Sequence, residues 1–221
     1  MNKRLCFCLI LLAFAGFGMC DIRRFAYTYS WFTSLKGERE IELTYTHLDS
    51  KTWVSENELE FGITDRYTVA PYFVVSHDSD GTVEGFQIEQ RYRVGEFSTK
   101  RILPTLYLEV SKLGGEPVEV EGRLIGSYAP KGPYFFSGNL IMTHSLQSRQ
   151  PVEWGYALGA TRIAGRGWYG AEAFGNFFDR QHWIGPSAGM ELTPNSRLVG
   201  TLGVGLNGQP SQAKLFLAFE F

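Results

Sequence analysis

From residue 37 to residue 221 the chain falls into about twelve segments of roughly 9 to 14 residues in which apolar and polar side chains alternate, with turn residues between them at regular spacing. The spans are 37–47, 54–64, 67–76, 84–94, 102–112, 118–128, 133–143, 152–162, 168–178, 183–192, 197–206 and 212–221. Successive residues of a strand point to opposite faces, so each segment has an apolar face and a polar one. In the last, Ala213, Leu215, Leu217, Phe219 and Phe221 share one face, while Gln212, Lys214, Phe216, Ala218 and Glu220 share the other. The fourth sets Phe86, Ile88, Tyr92 and Val94 against Gln87, Glu89, Arg91 and Arg93, and the sixth sets Val118, Val120 and Leu124 against Glu119, Glu121 and Arg123. The 25 glycines and 15% aromatic content suit an all-β chain.

Alternation alone is equally compatible with a soluble barrel or sandwich whose apolar face points inward. Two features favour the opposite arrangement. The polar faces collect Glu40, Glu42, Glu58, Glu60, Glu89, Glu109, Glu119 and Glu121 with Arg91, Arg93 and Arg123, which a wet lumen accommodates. Aromatics, among them Tyr45, Phe61, Tyr67, Phe73, Tyr92, Tyr128, Trp154, Tyr156, Tyr169 and Phe177, recur on the apolar faces, many near segment ends, where headgroup girdles place them. If both termini are periplasmic, the connections at 65–66, 129–132, 164–167 and 193–196 are the short periplasmic ones, with 95–101 the exception; the alternate set is mostly polar and a little longer. An even strand count closes the sheet and removes its edges. The expected fold is all-β, a single antiparallel up-and-down transmembrane β-barrel of about twelve strands over residues 37–221.

Residues 1–20 read as a signal peptide: Lys3 and Arg4 precede a short apolar run from Leu5 to Phe17. Cleavage after Cys20 leaves Asp21 as the mature start; cleavage after Gly18 is the alternative. Lipidation of Cys20 is a further reading, against which Met19 is bulkier than such a site takes. Cys6, Cys8 and Cys20 all lie in this segment, so the mature chain has no thiol for a disulfide, metal site or nucleophile. Beyond it no stretch approaches the roughly 18 to 20 apolar residues of a spanning helix. Residues 21–36, DIRRFAYTYSWFTSLK, stand apart as an extra strand, an arm inside the lumen or a periplasmic lead.

The terminal LFLAFEF, with apolar residues at every second position up to Phe221, resembles the closing-strand signal of bacterial outer-membrane barrels. YTYSWFTSLKGEREIELTYTH (residues 27–47) resembles the start of porin-like outer-membrane proteins. The resemblance implies residence in the bacterial outer membrane, contact with its lipid, and a barrel-assembly machinery that reads Phe219 and Phe221.

Four histidines invite a catalytic reading, because twelve-stranded barrels of this resemblance include phospholipases with a Ser-His pair on the rim. His47 lies on an outward register, His144 follows the seventh segment beside Ser145, and His77 and His182 sit at loop edges. No segment unites nucleophile, base and orienting partner, so the chain is read as a non-enzyme. The histidines are scattered without metal-ligand spacing, and Asp78, Asp80 and Gly81 lack the rest of a calcium loop. No cofactor is expected, and a formal net charge of -2 offers nothing to nucleic acid. The inward ladder of Glu40, Glu42, Glu58, Glu60, Glu89, Arg91, Arg93, Glu109, Glu119, Glu121, Arg123, Lys214 and Glu220 is the pore-lining candidate. Charged rings set which ions enter a pore, and the same groups, paired, can lock a narrow lumen. About eight strands are filled by side chains and roughly sixteen leave a channel. The expected function is therefore a narrow porin-like channel for small solutes or ions, with a non-conducting structural or surface barrel, then a rim lipid hydrolase, as alternatives.

Overall fold

The computed structural model describes residues 23–147 and 151–221. The candidate signal peptide, with Cys20, lies outside them. Twelve strands follow in order: β1 (Arg39–His47), β2 (Trp53–Thr64), β3 (Tyr67–Asp78), β4 (Gly81–Arg93), β5 (Leu103–Leu113), β6 (Glu119–Tyr128), β7 (Tyr134–Ser145), β8 (Glu153–Ala164), β9 (Gly167–Asn176), β10 (Gln181–Thr193), β11 (Ser196–Gly205) and β12 (Gln212–Glu220). Each pairs antiparallel with its sequence neighbour, and β1 pairs with β12, so the sheet is a closed up-and-down barrel. At the seam Glu40 faces Glu220 and Ile41 faces Phe219, and the Phe221 N–H donates to the Arg39 carbonyl at 3.0 Å. Closure leaves no strand edge unpaired, as a membrane span requires.

The period-two pattern becomes inside and outside directly. On β1, Glu40, Glu42, Thr44 and Thr46 are buried, while Leu43, Tyr45 and His47 are exposed on the outer face. Outward Leu106, Leu124, Leu140, Leu158, Leu198 and Leu215 build an apolar belt. Tyr67, Tyr92, Tyr128, Tyr134, Tyr169 and Phe221 line its margin at the end where the chain's two strand termini meet, here called the terminal end. Tyr45, Trp53, Trp154, Tyr156 and Phe177 line the margin at the distal end. Tight hairpins hold the register; the β8–β9 turn uses Gly165 at φ 62°, a left-handed conformation that glycine adopts without strain.

The seventh strand runs beyond its expected limit at residue 143. Glu119 and Val120 of β6 continue to pair with Ser145 and His144, so the ladder carries both into β7. His144 and Ser145 are consecutive strand residues and point to opposite faces, His144 toward lipid and Ser145 toward the lumen.

Residues 23–34 are inside the barrel, and Leu35 and Lys36 are exposed at its rim. Phe25, Ala26 and Thr28 are fully buried, Trp31 is 2% exposed, and the segment enters beside β2 at the terminal end, where the Lys36 N–H donates to Asp65 Oδ1. We call it the N-terminal arm.

Candidate functional site

Strands in a barrel are tilted, so a row of side chains facing one another from strand to strand climbs the wall. One such row here is almost entirely acidic. Glu220 of β12 faces Glu40 of β1, which faces Glu60 of β2; on β3 the row continues at Ala70, which faces Glu89 of β4. Glu89 faces Glu109 of β5, Glu109 faces Glu121 of β6, and Thr143 of β7 links Glu121 to Glu153 of β8. Glu220 closes β12 at the terminal end and Glu153 opens β8 at the distal end, so the acidic ramp spans the barrel's height. Like charges directly opposite across strands destabilise a sheet; guanidiniums compensate for part of the row.

Compensation is concentrated in the terminal half. Arg197 binds Glu40 at 2.5 Å. Arg91 bridges Glu60 and Glu89, the latter at 2.6 Å, with side chains no more than 4% exposed. Arg23, from the arm, binds Glu42 at 2.9 Å. Glu42 faces Glu58 across β1 and β2, and Glu42, Glu58 and Glu60 each bring a carboxylate oxygen within 4.8 Å of the others. That spacing would suit a cation, a role that Arg23 and Arg91 fill on two of the three. Arg93 leaves the row to lie over the Trp31 ring at 4.5 Å.

The distal half is wetter. Arg123 binds Glu121 at 2.5 Å with both side chains between 15% and 18% exposed, and Lys214 binds Glu56 at 3.2 Å. Glu109 accepts from the Tyr107 hydroxyl at 2.6 Å, and Glu119 is exposed at the mouth. A cavity of about 430 Å³ opens here between Ser76, Gln87, Ser111, Glu116, Glu119 and Ser145.

The arm is held by its main chain. The N–H groups of Ala26, Tyr27 and Thr28 all donate to the single carboxylate of Glu172, at 2.8 to 2.9 Å. Asn139 reads Tyr29 from both sides, accepting from its N–H at 2.8 Å and donating to its carbonyl at 2.9 Å, where the Ser137 hydroxyl also donates. Ser127 Oγ accepts from the Trp31 N–H at 2.8 Å, and Thr105 Oγ1 donates to the Trp31 carbonyl at 2.9 Å. Nearer the entrance, the Ser34 hydroxyl donates to Glu60. Gly159 matters to this seat: a Cβ there would come within 2.5 Å of the Phe25 ring.

All thirteen pore-lining candidates face the lumen side of their strands, and the seam sets Glu220 opposite Glu40 and Lys214 opposite Thr46, within reach of Glu56. The inward residues Glu56, Glu153, Glu172, Arg197 and Asn139 were not singled out by sequence, although alternation places each on a polar face; Glu172 sits between Ala171 and Ala173 in a segment otherwise rich in glycine and aromatics. Among the histidines, His47 is exposed on the outer rim, His77 stacks on Trp53 and meets Thr82 at 2.9 Å, and His182 packs by Tyr156 and Phe177. Asp78 Oδ1 accepts from the N–H groups of Asp80 and Gly81, an ordinary turn.

No protein-family model matches the chain, and no curated protein matches it by sequence. Solved structures do match its fold. A KdgM porin superposes with a TM-score of 0.66 at 6% identity, over 82% of this chain and 99% of that one. A KdgM porin in complex with disordered oligogalacturonate gives 0.63 at 7%, over 82% and 98%. An outer membrane channel from Pseudomonas putida F1 gives 0.60 at 15%, over 86% and 98%. The fold is that of bacterial outer-membrane porin-like β-barrels.

Proposed function

We propose that the chain is an outer-membrane, porin-like channel for small solutes, that its lumen favours cations, and that the N-terminal arm occupies the lumen at rest. The apolar belt with aromatic margins and the shared porin fold support the location and the class. The charge count of the lumen carries the preference. Beside the seven carboxylates of the ramp stand Glu42, Glu56, Glu58, Glu119 and Glu172, whereas the cations among the described residues are Arg23, Arg24, Arg91, Arg93, Arg123, Arg197 and Lys214. An excess of fixed negative charge in a narrow, low-dielectric passage concentrates cations and repels anions. A polyanion such as the oligogalacturonate of the KdgM complex is therefore a poor match, in spite of the common fold.

Planar-bilayer recording of the refolded barrel under a potassium chloride gradient is the test. The expected result is discrete conductance steps with a reversal potential on the cation-selective side, and larger steps in Glu172→Ala, where the arm loses its three-fold anchor. Absence of steps in both proteins, or an anion-selective reversal potential, rejects the reading. The second reading, a non-conducting barrel, draws on how completely the arm fills the terminal half, and silence in Glu172→Ala would select it.

A further inference from the structure

The contacts of the arm are those of a peptide in a binding site. Phe25, Tyr27, Tyr29 and Trp31 alternate along it, and each has its own receptor in the wall. Phe25 lies over Gly159 and packs on Phe135 at 6.0 Å between centroids. Tyr27 stacks on Phe174 at 3.8 Å, Tyr29 packs edge-on against Tyr107 at 5.1 Å, and Trp31 carries Arg93 over its ring. Between them Glu172, Asn139, Ser127 and Thr105 engage main-chain groups that any residue supplies. Main-chain hydrogen bonds combined with side-chain pockets are a recurring way of recognising peptides, and the arm uses them in a bent form, with three successive N–H groups turned onto one carboxylate. At one end, Arg23 sits on Glu42 with its guanidinium 4.3 Å from the Tyr29 ring centroid and 4.4 Å from that of Phe216.

We infer that the lumen is a peptide-binding site and that the arm is its resident ligand. The solute class that fits is a short bent peptide with a basic residue at one end that folds back on its own aromatic side chains, as Arg23 folds onto Tyr29. This rests on the channel reading only for its consequence, transport; the binding site stands on the wall itself. The fit of the arm is incomplete, because Thr28 Oγ1 and Trp31 Nε1 are buried without a hydrogen-bond partner. A free peptide must nevertheless compete with a tethered one, whose effective concentration is of the order of millimolar for a short link. The apparent affinity of the free peptide is the intrinsic one reduced by the fraction of barrels whose site is vacant.

That competition supplies the test. A fluorescent decapeptide copying residues 23–32, and a scrambled peptide of the same composition, are titrated into the folded full-length barrel in detergent, with anisotropy as readout. Weakening the resident arm by Arg23→Ala is expected to tighten binding of the copy by about tenfold and to leave the scrambled peptide unchanged; Phe25→Ala serves the same purpose if Arg23→Ala fails to fold. The proposal is overturned if weakening the arm brings no gain, or an equal gain for the scrambled peptide. Binding without conductance would retain the site and reject the channel; conductance without competition would do the reverse.

Discussion

The two halves of the lumen are lined by the same residue types and behave differently. At the terminal end Glu40, Glu60, Glu89, Arg91 and Arg197 are no more than 3% exposed and form a dry, hydrogen-bonded lattice around the arm. At the distal end Glu119 lines an open cavity, and Glu109, Glu121 and Arg123 remain partly exposed. The alternation that creates both is identical; what differs is the occupant. An inserted segment of twelve residues, 23–34, converts a polar wall into a core, and the same carboxylates that would draw cations through a wet pore become structural ion pairs where water is excluded.

The sharpest way to break this contrast is to remove one guanidinium from each half. Arg91→Ala leaves Glu60 and Glu89 buried without their bridge and is expected to cost about 3–5 kcal/mol, whereas Arg123→Ala, whose pair with Glu121 is partly hydrated but whose guanidinium also lies over the Tyr29 and Tyr107 rings, is expected to cost about 1–2 kcal/mol; urea titrations of the refolded barrels in detergent measure both. Equal losses would mean that the two halves are equally dry. Next, Gly159→Leu places a side chain where the Phe25 ring lies. Overpacking of this kind costs about 1–3 kcal/mol, and trypsin should then cleave after Arg23 or Arg24 faster than in the parent. Protection of those sites in the variant would show that the arm does not depend on this seat.

A smaller effect concerns assembly. Deleting Phe221 removes an outward anchor at the terminal margin and leaves the lumen untouched, so heat-modifiable protein in outer-membrane fractions should fall severalfold. Glu220→Ala, on the inner face, should insert normally. The reverse outcome would contradict the register in which Phe219 faces Ile41 and Glu220 faces Glu40. The mildest change is Glu121→Gln in the distal half, expected to lower cation preference in reversal-potential measurements while the urea midpoint stays the same. A shifted midpoint without altered selectivity would make Glu121 structural.

Much of the wall was legible in the sequence. Strand count, closure and the inward placement of residues such as Glu42, Glu89 and Arg123 follow from period two together with a polar face too charged for a dry core. The limit at residue 143 was misjudged because β6 and β7 continue to pair through Ser145, and the length of a ladder depends on the partner strand as well as on the strand itself. The arm was legible only as one of three readings of residues 21–36. Phe25, Tyr27, Tyr29 and Trp31 alternate like the residues of any strand, and nothing local distinguishes a segment that joins the sheet from one that lies within it.

What the sequence determined by itself is which residues share a face of each strand, because that depends only on neighbouring backbone geometry, and which of the two faces meets lipid, because the other carries the charges. Which carboxylates are paired, which form the climbing row, and what fills the terminal half were decided by tertiary structure. Ala26 meets Glu172 across 146 positions and Arg197 meets Glu40 across 157. Such partners are set by the closure and tilt of the barrel, which bring side chains from distant strands to one height on the wall.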